Sequence, residues 1–193
     1  MSCYQRKCAR HLTTIISVLM SLLACGFAHV APVIVLDNLS TSAGFPHNGT
    51  SIHSTSWKAV GFTAAGPDLN LTRFDARLDD YGAVASVEAV LFDDAGGVPG
   101  SEIASFVSAT LGPNESESFL FNLSSPVLLV DGESYWIAVR GSDNVSLLWD
   151  RNPAFSAPTG TCPFNGYLLS GDGGSSWSGS TAFNAFTLYA EPP

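Results

Sequence analysis

From residue 29 onward no stretch of this chain sustains the apolar spacing of a helix, and turn residues interrupt it about every ten positions. A chain punctuated in this way folds as short strands that close into a sandwich or a barrel. The clearest strand lies within Asp131–Trp149, read DGESYWIAVRGSDNVSLLW. Tyr135, Ile137 and Val139 alternate with Trp136, Ala138 and Arg140, the period-two pattern of extended backbone. Asp131-Gly132 before it and Gly141-Ser142-Asp143-Asn144 after it are turn chemistry. Both faces are apolar until Arg140, which places the strand in the middle of a sheet with material over each side. Val145–Asp150 follows at once, so the two are expected to pair as a hairpin.

The same reading gives strands at Pro32–Leu36, Trp57–Thr63, Leu69–Leu78, Ser86–Phe92, Ile103–Ala109, Ser118–Leu123, Val127–Val130, Asn165–Leu169 and Ala182–Tyr189. Ser40–Ser56 is polar and reads as a long loop carrying His47 and His53. Within Leu69–Leu78 the apolar parity switches around Arg73, the signature of a bulge. The first and last strands are both apolar, so both belong inside a sheet rather than at a frayed end. No repeat with a solenoid or propeller period is visible. The expectation is an all-β chain in which residues 29–193 form one two-sheet β-sandwich, jelly-roll-like, of about nine or ten strands.

Residues 1–28 read as a signal peptide. Arg6, Lys7 and Arg10 precede an apolar run from Leu12 to Phe27, and Gly26-Phe27-Ala28 offers a small-x-small cleavage site. Inside the same stretch, Leu22-Leu23-Ala24-Cys25 has the form of a lipobox, which would lipidate Cys25. Secretion and lipid anchoring through Cys25 therefore both stand. No later stretch approaches the ~20 apolar residues of a membrane span. Cleavage after Ala28 leaves five basic residues against seventeen acidic ones, a net charge of −12. Such a charge disfavours nucleic acid and anionic membranes as partners. Cys162 is then the remaining cysteine, so no intramolecular disulfide forms, and the exported chain relies on its core.

Five segments, in order, carry a family resemblance. They are Val35-Leu36-Asp37-Asn38-Leu39, Trp57-Lys58-Ala59-Val60-Gly61-Phe62-Thr63, Leu91-Phe92-Asp93-Asp94 with Gly97-Val98-Pro99-Gly100, Ser134-Tyr135-Trp136, and Gly171-Asp172-Gly173-Gly174-Ser175-Ser176-Trp177. Together they resemble the choice-of-anchor R domain of bacterial exported and surface proteins, over most of residues 33–190. The resemblance implies a surface or extracellular role and brings no established activity with it. Members often carry a C-terminal sorting tail. Here the sequence runs to Glu191-Pro192-Pro193 without a membrane helix or a basic end, so the expectation is simple secretion or an anchor at Cys25.

Ser170-Gly171-Asp172-Gly173-Gly174-Ser175-Ser176-Trp177 fits the Asp-box pattern S-x-D-x-G-x-[ST]-W through Ser170, Asp172, Gly174, Ser176 and Trp177. Physically this is a hairpin tip: glycine reaches positive φ, Asp172 caps loop N–H groups, and Trp177 folds back as an apolar anchor. Sialidases carry several such boxes beside an arginine cluster and a tyrosine nucleophile. One box without that cluster reads as architecture, and a glycosidase relative ranks third among the functions. Asp93 and Asp94 lie at a turn and are candidate calcium ligands, although neither they nor Asp79-Asp80 have EF-hand spacing. Trp57, Trp149 and Trp177 are candidates for a sugar-stacking face, with Trp57 and Trp149 as the ligand-binding pair. Cys162 has no histidine partner in a recognisable motif, so it reads as a packed loop cysteine.

The function expected is an exported surface or extracellular structural or interaction protein, not an enzyme, with no cofactor unless calcium is held. Its partner is a surface or matrix component, glycans included. The alternative is a jelly-roll carbohydrate-binding module, calcium-stabilised in one version.

Overall fold

The computed structural model describes residues 31–39, 48–79, 85–107, 109–111, 116–142 and 146–193. The expected signal peptide with Cys25, together with His47 and Asp80, lies outside the described residues. Residues Pro32–Pro193 form one compact unit. Among the described residues there is no helix, and so none long and apolar enough to cross a membrane.

Fourteen strands are described: β1 (Val33–Asp37), β2 (Gly49–Ile52), β3 (Trp57–Thr63), β4 (Leu69–Asp79), β5 (Ala85–Asp94), β6 (Pro99–Ser105), β7 (Ala109–Leu111), β8 (Ser116–Leu129), β9 (Ser134–Gly141), β10 (Leu147–Asp150), β11 (Thr159–Gly160), β12 (Phe164–Ser170), β13 (Ser178–Ser180) and β14 (Phe186–Glu191). They build two antiparallel sheets of seven strands each. The first runs β11-β1-β14-β4-β10-β2, with β8 also lying on β4. The second runs β13-β12-β3-β9-β5-β6, with β7 also lying on β5. The sandwich is thus the expected class, and its strands outnumber the nine or ten read from the sequence. The surplus comes from β2, β11 and β13, which have two to four residues and no apolar alternation to announce them. Two expected strands, at Ser118–Leu123 and Val127–Val130, are one continuous β8. Conversely, Ile103–Ala109 divides between β6 and β7.

The expected hairpin between β9 and β10 does not form. Both edges of β9 are already hydrogen-bonded, to β3 on one side and β5 on the other. The chain therefore crosses to the other layer, where β10 pairs with β2 and β4. The bulge expected near Arg73 is present as a register shift between Leu71 and Arg73 against β8. The apolar terminal strands behave as their composition requires: β14 sits between β1 and β4.

Between the layers lies one large core. Phe74 on β4 is its centre, with Phe106, Phe121, Trp149 and Phe186 around it at 5.7–6.1 Å between ring centroids. The buried polar groups are tied into the framework. The Asn38 carboxamide oxygen accepts the Phe186 N–H (3.0 Å), and Tyr167 donates its hydroxyl proton to the Asn184 carbonyl (2.6 Å). Burial pushes the Tyr167 phenol well above its ordinary range. A polar atom inside a sandwich costs stability unless it is bonded in this way.

Candidate functional site

The Asp-box hairpin joins β12 to β13 and is held by its own side chains. Ser170 is buried. Its hydroxyl donates to Asp172 Oδ1 (2.8 Å), and its oxygen accepts the N–H groups of Asp172 (3.3 Å) and Gly174 (2.8 Å). Asp172 Oδ1 accepts the Ser176 N–H (2.9 Å), and Oδ2 accepts the Ser176 hydroxyl (2.6 Å). Those bonds from Ser176, followed by the one from Ser170, favour the ionised carboxylate and hold Asp172 down to about 2. The Gly173 N–H donates to the Thr55 carbonyl (2.8 Å), which ties the hairpin tip to the segment before β3.

Gly174 has a φ of +88°, and a Cβ there would lie 2.6 Å from the Trp57 ring. Glycine is required twice over, by backbone conformation and by the close approach. Trp57 itself is hemmed in. Its Nε1–H donates to the Ser54 carbonyl (2.8 Å), Trp177 meets it edge-on at 6.5 Å, and the Arg140 guanidinium lies over it at 4.7 Å. Arg140 is in turn paired with Glu88 at 2.8 Å. This face of β9 is apolar at Trp136 and Ala138 because it too is covered. On the outer side of the second sheet, Ala59, Val90, Phe92, Trp136 and Ala138 form a second, smaller core, and Trp57, Leu168 and Trp177 lie against it.

Trp149 is a correction to the sequence reading. It was a candidate sugar platform beside Trp57, but it is wholly buried in the main core and donates its Nε1–H to the Ala185 carbonyl (2.9 Å). On β10 it alternates with Leu148 and takes the inward face, so no ligand can stack on it. Trp57 and Trp177 are brought together as half-buried neighbours, and Trp149 is in another layer.

Asp93 and Asp94 end β5 at the rim of an open cleft of about 530 Å³, also lined by Ile103, Glu133, Ser134 and Tyr135. Asp94 acts as a turn organiser. It accepts the Trp136 Nε1–H (2.7 Å) and the N–H groups of Gly96 (3.1 Å) and Gly97 (3.0 Å). The bond from Trp136 leads the forces that lower its carboxyl below the usual range, with Gly97 and Gly96 adding to it. Asp93 accepts the Ser101 N–H. Part of the acceptor capacity of both carboxylates is thus taken up by N–H donors of their own turn and of Trp136. Among the described residues no three His, Cys, Asp or Glu side chains gather as a metal-binding group.

Lys58 was not singled out from the sequence. It is fully buried on β3, donates to the Ser180 hydroxyl and to the Ala182 carbonyl (3.3 Å), and lies 4.9 Å from the centre of the Tyr167 ring. Burial, with Arg151 adding to it, lowers its ammonium to about 7. The signal was available: Lys58 shares a strand face with Val60 and Phe62, both in the core.

No known protein family matches this chain, and no curated protein matches it.

Proposed function

We propose that the protein is an exported surface or extracellular-matrix component that presents or binds a partner and carries out no reaction. One observation supports this most: the chemically suggestive side chains of the Asp box are engaged with their own hairpin and with Trp57. Asp172 and Ser170 bond each other and Ser176, and the ring of Trp57 is packed on by Trp177 and Arg140. Asp94 likewise binds Trp136 and its own turn. Groups held this way stabilise a scaffold. The basic n-region and apolar run of residues 1–28 support export, and the five segments that resemble choice-of-anchor R domains support a surface role. Repeated crossing of consecutive strands between the two sheets supports a jelly-roll-like wrap.

The test is chemical denaturation of Trp177→Ala beside a glycan-array screen of the unmodified protein. Half-burial of the indole sets the expected loss at about 1–2 kcal/mol, with no glycan bound through Trp177. A variant as stable as the parent, together with parental glycan binding that the variant loses, would establish the carbohydrate-binding alternative instead.

A further inference from the structure

Among the described residues, Phe155 is the one non-glycine residue with positive φ, at +49°. Left-handed backbone is unfavourable for a bulky side chain and is taken up readily by glycine or asparagine. The ring gains little from the core in return, because Phe155 is 56% exposed. Yet the loop that holds it is firmly built. Asn152, which is buried, accepts the Phe155 N–H on its carbonyl (2.9 Å) and the Ala154 N–H on Oδ1 (2.8 Å). Its Nδ2 donates to the carbonyl of Asn38, also buried, and the Asn38 Nδ2 donates to the Ser156 carbonyl (3.3 Å). Strain upheld by a bonded framework at an exposed position points to function rather than stability. An aromatic ring held ready in solvent is the usual anchor of a protein contact.

The same chain carries a receptor of matching chemistry. A pocket of about 400 Å³ is lined by Val33, Ala65, Pro67, Leu69, Pro192 and Pro193. A cavity of roughly 150 Å³ with apolar walls already takes a benzene ring, so a phenyl ring fits here with room to spare. The two features lie at opposite ends of one sheet. The Phe155 loop is tied to Asn38, just past the end of β1, and Asn38 in turn accepts the N–H of Phe186, the first residue of β14. The pocket sits where β1 and β4 begin and β14 ends. β1 alone separates the two by about 17 Å. Ring and pocket within one copy therefore point toward different neighbours. Their charges are also opposite. Arg151 is the one charged residue in the segment 151–163 that carries the ring, and Asp68 is the one charged residue lining the pocket.

We propose that copies of this chain associate head to tail, the Phe155 ring of one entering the apolar pocket at the far pole of the next. Such a contact is heterologous. Every pair leaves one ring and one pocket unused, so association continues into short chains instead of closing at a dimer. One ring buries far less than the ~1,200 Å² of a stable interface, so the contact is weak in dilute solution and forms where copies are crowded. It stands independently of whether the chain is exported.

Sedimentation velocity on the purified protein, from dilute to millimolar concentration, tests this. The average mass is expected to climb with concentration past that of a dimer. Phe155→Asn removes the ring and suits the left-handed backbone, and Thr161→Glu places a charge in the pocket that Thr161 helps to line. Both positions are exposed, so each variant keeps the dichroism spectrum of the parent. Each alone is expected to stay monomeric, and Pro67→Glu, a second pocket variant, behaves like Thr161→Glu. An equimolar mixture of Phe155→Asn and Thr161→Glu forms dimers and nothing larger, because one supplies the pocket and the other the ring. A parent that stays monomeric or stops at a dimer overturns the proposal. So does association that survives in Phe155→Asn or in both pocket variants, or a mixture that stays monomeric.

Discussion

Trp149→Ala is expected to lose about 3–5 kcal/mol of folding stability, from lost burial and the cavity left behind. The ring is wholly buried and packs edge-on against Phe74, Tyr167 and Phe186, at 5.8–6.4 Å between centroids. Its loss also leaves the Ala185 carbonyl without the indole donor. Domains of this size are held by only about 5–15 kcal/mol, so the variant sits near the edge of folding. Urea denaturation of parent and variant measures the difference. A midpoint unchanged to within experimental error would mean that Trp149 does not occupy the core, and would reopen its role as a binding surface.

Lys58→Met is expected to raise stability at neutral pH by about 1–3 kcal/mol, because a buried charge is replaced by an apolar side chain of similar length. The pH dependence has a definite sign. The folded state lowers Lys58 to about 7, whereas an unfolded lysine titrates near ~10.4. Between those values the unfolded chain holds the extra proton, so stability of the parent rises with pH across that window. Below about 7 both states are protonated, and the cost of burying the ammonium is present in full. The advantage of Lys58→Met is therefore largest below pH 7 and fades toward pH 10.5. Melting temperatures of both proteins measured across this range provide the check. A gain that grows with pH would show that the Lys58 ammonium is stabilised, not destabilised, by its surroundings.

The sequence made the long strands legible because each of them alternates against a layered core. β3 was placed to the residue, and β4 and β9 nearly so. Layer membership was not legible. Nothing in Val145–Asp150 says that both edges of β9 are already taken, and only the pairing of β3 and β5 with β9 reveals it. The same limit explains Trp149: period two tells which residues share a face, not which face meets the core. The Asp box was more readable, since its bonds are local and Ser170, Asp172 and Ser176 find one another within a few residues. Its contact with Trp57 crosses more than a hundred positions and left no local trace, although Gly174 marked where something would come close. Lys58 could have been found by treating a lysine on an apolar strand face as buried, against the ordinary preference of lysine for the surface.

The proposed role depends first on export, and the mature N-terminus tests that most directly. The full chain, expressed with residues 1–28 in a bacterial host and fractionated into cytoplasm, envelope and medium, is analysed by intact-mass spectrometry. The account predicts a chain beginning at His29 in the medium or at the cell surface. A lipid-modified Cys25 as the first residue would replace secretion with an anchored surface protein. A chain that keeps residues 1–28 and stays in the cytoplasm would contradict the account.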